Sequence, residues 1–155
     1  MTAGERNALR AWLDLLTASN AIKKEVDAKL RSEFGVTISR FDVLSALDRA
    51  GQAGQRASDL SKMLLVTEGA TTQVVAPLIR DGYVARTPCP NDGRAVNLKL
   101  TKKGQRLFVR MARVHRQLID DKFASLTPTQ ISTLRALLSK IDLPHLAARD
   151  ERNAA

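Results

Sequence analysis

The stretch GYVARTPCPNDGRAVNLKLT, residues 82–101, decides how this chain is read. Gly82 is a good left-handed terminator for a preceding helix. Tyr83 to Thr87 predicts a first strand. Pro88 to Gly93 is a run of turn-forming residues. In the segment that follows, Val96, Leu98 and Leu100 fall on one face and Asn97 and Lys99 on the other, the pattern of a half-buried strand. The expectation is a β-hairpin with an unusually long basic tip, and Arg94 at the end of it.

Upstream of the hairpin, two short helical segments are predicted. The first covers Ala57–Leu64, with Leu60 and Leu64 inward. A turn at Leu65–Thr67 leads to the second, Glu68–Asp81, with Val74, Val75, Leu78 and Ile79 inward. Two short helices followed by a cationic hairpin outline a winged helix-turn-helix. Farther out, residues 5–33 carry Leu9, Trp12, Leu13, Leu16, Ile22, Val26 and Leu30 at three- and four-residue steps, one apolar stripe on a long helix. Gly35 ends it. Ser39 can cap the next helix, whose inward face is Phe41, Leu44 and Leu47, and residues 51–55 form a loop punctuated twice by glycine. After the hairpin, Thr101 is placed as the cap of a long fifth helix with Leu107, Met111, Val114 and Leu118 on its stripe. Thr127-Pro128-Thr129-Gln130 has the composition of a capping box and starts a sixth helix, expected to run through Ile141 to Pro144.

The fold class that follows is mainly α with a small β-hairpin. A winged helix-turn-helix region at residues 36–101 is flanked by long helices at 5–35 and 102–147, and 148–155 is a flexible tail. The long terminal helices carry apolar faces that the small central region cannot cover. A second copy of the chain is the simplest cover, so they are assigned to dimerisation.

The 155 residues hold 25 Lys and Arg against 16 Asp and Glu, a net charge of +9. That balance favours polyanionic partners. Six aromatic residues, four Phe, one Tyr and one Trp, are too few for the base-stacking platforms of single-strand and RNA-loop binders. Double-stranded DNA is the expected partner. A single cysteine excludes an internal disulfide framework and points to a reducing setting. No signal-peptide pattern or membrane-length apolar run is present. The protein is expected to be soluble and cytoplasmic, nucleoid-associated when bound to DNA.

The second short helix is small and polar at its start. Small residues let a helix sink into the major groove, where hydroxyls and amides can meet base edges and phosphates. Thr67, Thr71, Thr72 and Gln73 are the expected reading residues. Arg94 suits a narrow minor groove, with Asp92 two residues earlier placed to hold its guanidinium extended. Arg40, Arg56, Lys62 and Lys99, with Lys102, Lys103 and Arg106, are expected phosphate contacts as a group.

Phe41-Asp42-Val43-Leu44-Ser45-Ala46-Leu47, Leu60-Ser61-Lys62-Met63-Leu64, Gly82-Tyr83-Val84 and above all Asp92-Gly93-Arg94-Ala95 followed by Leu98-Lys99-Leu100-Thr101-Lys102-Lys103-Gly104 resemble the MarR family of winged-helix transcription regulators. The resemblance spans roughly residues 9–142. It implies a homodimer joined through terminal helices, a palindromic operator, repression, and release by a small phenolic or aromatic-acid effector. Within the family the chain looks most like regulators of aromatic-acid catabolism, including those that sense hydroxycinnamoyl-CoA thioesters. By the same analogy Trp12, Ser19, Phe41, Met111 and His115 are candidates to line the effector pocket. Two departures stand out. Pro77 lies inside the reading helix and should bend it after the reading turns. Arg56 stands where a capping Thr is common.

Neither His115 nor His145 has partners at metal-ligand spacing, and no cofactor is expected. No phosphate-binding glycine loop, nucleophile elbow or H-E-x-x-H motif is present, which argues against an enzyme. Two further readings stay open: a basic architectural DNA binder without an effector, and an oxidant sensor based on Cys89.

Overall fold

Four threonines start four helices. Thr37 Oγ1 accepts the N–H of Arg40 at 3.2 Å, Thr67 that of Ala70 at 3.1 Å, Thr101 that of Gly104 at 3.0 Å and Thr127 that of Gln130 at 3.2 Å. Each bond satisfies one of the amides that a helix start leaves without a partner. The structure is a computed structural model that describes residues 2–64 and 66–143. Leu65 in the expected turn, the predicted helix end at Pro144, His145 and the expected tail lie outside the described residues.

The chain divides into two units, Met1–Ile119 and Asp120–Ala155. In the first, helix α1 (Ala3–Phe34) ends at Gly35, whose φ of 65° is the left-handed terminator expected there. Helix α2 (Ile38–Ala50) follows. Its cap is Thr37 and not Ser39, which lies one residue inside the helix. A 3₁₀ turn (Gly51–Ala53) leads to a two-residue strand, β1 (Gln55–Arg56), and then to α3 (Ala57–Leu64) and α4 (Glu68–Arg80). The hairpin consists of β2 (Val84–Cys89) and β3 (Asp92–Leu100), and α5 (Lys102–Phe123) follows it.

The sheet has three antiparallel strands in the order β1-β3-β2. The expected loop at 51–55 therefore conceals a strand: Gln55 pairs with Leu98 and Arg56 with Asn97. Gly54 makes that approach possible. Its φ is 71°, and an added Cβ would lie 2.6 Å from both the Asn97 side chain and the Leu98 carbonyl oxygen. The Asn97 amide donates to Ala53 O at 3.0 Å and closes the corner.

Leu30, Leu44, Leu47, Leu60, Leu78 and Met111 are the largest buried side chains, drawn from α1 to α5. The inward faces read from the sequence for α2 and α3 are the ones that pack. The second half of α1 joins this core, with Val26 and Leu30 buried and Ile22 and Phe34 packed against it. Asp27 fastens that end. Its carboxylate accepts the Ile38 N–H at 2.9 Å and Arg31 Nε at 2.6 Å. The backbone bond first, and the Arg31 bond second, hold its pKa below the usual carboxylate range.

In the second unit α6 (Pro128–Leu138) begins with the full capping box, the Thr127 N–H donating in return to Gln130 Oε1 at 2.9 Å. The helix stops at Leu138 and does not run to Pro144. Lys140 N–H bonds Leu137 O and Ile141 N–H bonds Leu138 O, three-residue closures that tighten the chain out of the α-helical path. No described helix is long and apolar enough to cross a membrane.

Gly104 is buried against the Tyr83 carbonyl, and a Cβ there would meet that oxygen inside any real contact distance. Gly104→Ala is expected to cost about 1–3 kcal/mol, the usual penalty of overpacking a tight site. The midpoint of urea unfolding measures it; an unchanged midpoint would show that α5 can back away freely.

Candidate nucleic-acid interface

Helices α3 and α4 are locked together by hydroxyls. Ser61 and Thr71 are both buried. The Ser61 hydroxyl bonds Thr71 Oγ1 at 2.8 Å, and the Thr71 hydroxyl donates to Thr67 O at 3.2 Å. The turn between the helices is closed by Val66 N–H on Ser61 O at 3.1 Å. Thr71 is 3% exposed, so the structure places this predicted reading residue inside, as part of the joint between the helices.

Thr67, Thr72 and Gln73 are exposed, together with Glu68, Gly69 and Ala70. This leaves the first turn and a half of α4 presenting small or polar side chains to solvent. Thr72 donates its hydroxyl to Glu68 O at 3.0 Å and keeps its oxygen lone pairs free to accept. Val75 and Leu78 bury the inner face. Pro77 sits within one uninterrupted helix that continues to Arg80. Proline removes one backbone bond to the previous turn, here that of residue 77 to residue 73, at the end of the exposed polar stretch.

The hairpin differs from expectation at its tip. The strands extend to Cys89 and Asp92, which pair, so the connection is only Pro90-Asn91. The tip is not a long loop. The extra length is a bulge in β3: Pro88 pairs with Val96 and Cys89 with Asp92, which leaves Gly93, Arg94 and Ala95 without opposite partners. Such bulges re-aim a side chain. Arg94 sits at the bulge and is exposed. Asp92 does hold Arg94, but by its backbone: Oδ1 accepts the Arg94 N–H at 3.0 Å. The carboxylate braces the bulge, and the guanidinium is left to solvent.

Of the cations grouped as phosphate contacts, Arg56, Lys62, Lys102 and Arg106 are exposed and Arg40 and Lys99 half-buried. Lys103 is engaged within the protein: its Nζ donates to Asp81 O at 2.8 Å and lies 4.7 Å from the centre of the Tyr83 ring. Between α3, α4 and the hairpin a cleft of about 220 Å³ is lined by Ser58, Glu68, Thr72, Ile79, Arg86 and Val96, among others.

Residues 34–95 match the MarR family. The multiple antibiotic resistance protein MarR of Salmonella typhimurium is 33% identical over 111 residues, 71% of this chain and 76% of that protein. A cysteine-to-serine mutant of MarR from Escherichia coli, solved in complex with operator DNA, is 30% identical with a TM-score of 0.76, covering 88% of this chain and 97% of that one. Sco3205 of Streptomyces coelicolor, a MarR family regulator also solved with DNA, is 26% identical with a TM-score of 0.78, over 90% of this chain and 86% of its own. The chain belongs to the MarR family.

The effector candidates suggested by resemblance to MarR proteins separate into two groups. Phe41 and Met111 lie in the core, and the half-buried His115 packs on Phe41 at its edge. The Phe41 ring lies 4.8 Å from the His115 ring and 5.7 Å from that of Phe108. Met111 is completely buried. Burial lowers the pKa of His115, against a smaller upward pull from Asp42. Trp12 and Ser19 lie on the exposed part of α1, and Trp12 is 55% exposed. Cys89 is half-buried at the end of β2. Among the described residues no three His, Cys, Asp or Glu side chains gather into a metal site.

Sequence pattern missed the inward rotation of Thr71, since a threonine among Ala70, Thr72 and Gln73 carries no mark of burial. It also missed β1, because two residues are too few to show alternation. Thr71→Val is expected to lose about 1 kcal/mol of stability, the usual net value of one buried hydrogen bond, with DNA affinity unchanged once the protein is folded. A loss of about 1–3 kcal/mol in binding, the scale of a base contact, would instead put its hydroxyl on the DNA.

Proposed function

We propose that this MarR-family chain is a homodimeric repressor that binds a palindromic operator and is released by a small aromatic or phenolic effector. The observation that carries the DNA reading is Arg94. It stands exposed on a bulge braced by Asp92, at the end of a hairpin that directly follows a helix with a small, polar, exposed start. Thr67, Thr72 and Gln73 are assigned to the major groove and Arg94 to the minor groove. Arg40, Arg56, Lys62 and Lys99 are assigned to phosphates, which add affinity and salt dependence without sequence information.

The dimer reading rests on uncovered apolar side chains. Leu9, Trp12, Leu13 and Leu16 are exposed along α1, and Leu134 and Leu137 along α6. The effector reading rests on the resemblance, which points to Phe41 and His115; their rings lie together with that of Phe108. An acyl-CoA thioester of a hydroxycinnamic acid is the finer form of that proposal. The protein acts in the cytoplasm, on chromosomal DNA, and has no catalytic role.

Arg94→Ala is expected to weaken operator binding by about 1–3 kcal/mol with the dimer intact. Gel shift and sedimentation on the purified variant measure both, and full-strength binding would remove the wing assignment. Equal affinity of the wild type for operator and random duplex would favour an architectural binder, because specific regulators prefer their sites by about 10³–10⁷-fold. Deleting residues 127–155 is expected to impair dimerisation; a truncated protein still fully dimeric at micromolar concentration would contradict the part given to α6.

A further inference from the structure

We infer that Lys103 is a positioning residue for the reading helix, joining the carboxyl end of α4 to the start of α5, and is not a contact to DNA phosphate. The inference rests on the proposed DNA-reading role of α4.

Helix α4 ends in a glycine-terminated motif. Tyr83 N–H bonds Leu78 O at 2.9 Å and Gly82 N–H bonds Ile79 O at 3.0 Å. These two bonds are the pair that an αL glycine terminator makes. The Asp81 carbonyl, one residue beyond the helix, takes no part in that pair. Lys103 Nζ donates to it at 2.8 Å. The amine thus sits at the negative end of the α4 dipole, where a cation is favoured. Its stem passes over Gly82, where an added Cβ would lie 3.9 Å from Lys103 Cδ. The same ammonium stands 4.7 Å from the centre of the Tyr83 ring, within cation–π range.

One side chain from the first turn of α5 therefore bonds Asp81 O and faces the Tyr83 ring, the two residues on either side of Gly82. The other end of α4 is held by Ser61 and Thr71. A 13-residue helix is roughly 20 Å long. The buried Leu78 and the Thr101 hydroxyl on Gly82 O already restrain the carboxyl end, and what Lys103 removes is residual tilt, of which about 5° would move that end by nearly 2 Å over the length of the helix. Hydrogen bonds to base edges do not survive displacements of that size. Lys103 adds a further hold at this end, on Asp81 O.

Salt dependence separates positioning from phosphate contact. Removing a cation that neutralises a phosphate flattens the slope of log affinity against log salt by about 0.9 per contact. Removing a positioning residue lowers affinity and leaves the slope alone. The test uses the full-length protein, the operator that the wild type selects from random duplex, and the variants Lys103→Met and Lys103→Arg. Fluorescence anisotropy across a salt series gives affinity and slope. Amide hydrogen exchange at Gly82 and Tyr83 reports the joint without DNA.

Lys103→Met is expected to lower affinity by about two- to fivefold, the size of a helix-terminus charge interaction, at every salt concentration and with parallel lines. Exchange at Gly82 and Tyr83 should quicken, and Lys103→Arg should restore both readings. A slope flattened by about 0.9 per protomer would make Lys103 a phosphate contact and overturn the inference. Unchanged affinity together with unchanged exchange would overturn it too. If the wild type selects no operator, the DNA reading falls by itself. Exchange then judges the joint alone, and unaltered protection in Lys103→Met sinks it.

Discussion

The Gly82-Tyr83 peptide is where the helix-turn-helix, the hairpin and the long fifth helix meet, and its hydrogen bonds allow little freedom. Tyr83 N–H closes α4 on Leu78 O. Tyr83 O accepts the Thr101 N–H at 3.1 Å, and the Thr101 hydroxyl reaches Gly82 O at 2.7 Å. The same Thr101 oxygen caps α5 by accepting the Gly104 N–H. One threonine thus ends the sheet, starts a helix and grips the terminator of the helix before it. Gly104 completes the arrangement because any side chain there would strike the Tyr83 carbonyl. The Leu-x-Leu-Thr-x-x-Gly run is then a set of geometric demands: apolar residues to bury one face of β3, a hydroxyl with two roles, and an absent side chain where two backbones touch.

A second constraint decides what α4 can offer to a partner. Packing a polar-faced helix on α3 leaves some hydroxyls inside, and buried hydroxyls must be bonded. Ser61 and Thr71 satisfy each other, and no buried side-chain polar atom among the described residues lacks a partner. Thr71 is spent on that joint. The exposed polar face of α4 is narrower than the sequence implies, with Thr72 and Gln73 on one side and the exposed cap Thr67 at the start. Asp92 shows the same economy in the wing. Its carboxylate was expected on a guanidinium and is found on a backbone amide, fixing the bulge that presents Arg94.

Most of the architecture was legible because it is written in local signals. Cap residues, apolar periods and glycine terminators place α1, α3 and α4 within one or two residues at their ends, and the start of α5 at Thr101. What escaped was set by tertiary contact. β1 exists because Gly54 lets Gln55 and Arg56 lie beside β3, a pairing 43 residues apart that leaves no periodic trace. Pro88 and Gly93 look like turn residues and imply a long tip, whereas both lie in strands and the irregularity is a bulge. The α2 cap was misplaced by two residues because Thr37 and Ser39 are equal candidates by type. Asp27 decides between them by bonding Ile38 N–H, which makes Ile38 the first helical residue. Of the candidate site, the exposed Arg94 and the polar start of α4 could be read directly. The internal use of Thr71 and Lys103 could not, since both are ordinary surface residues by type.

The terminal helices raise a question of magnitude. Leu9, Trp12, Leu13 and Leu16 are between 37% and 55% exposed, so roughly half of each remains to be covered. Full burial of such a side chain is worth about 1.5–3 kcal/mol, and half burial of eight in a symmetric pair gives on the order of 6–12 kcal/mol by the same measure. Association itself costs about 4–15 kcal/mol. The α1 faces alone therefore come close to balance and do not secure a pair. Leu134 and Leu137 of α6, equally uncovered, are the apolar surface that would tip it. In the proposed dimeric repressor, two half-sites on a duplex would set a fixed spacing between the two α4 helices, which is where such a margin would matter.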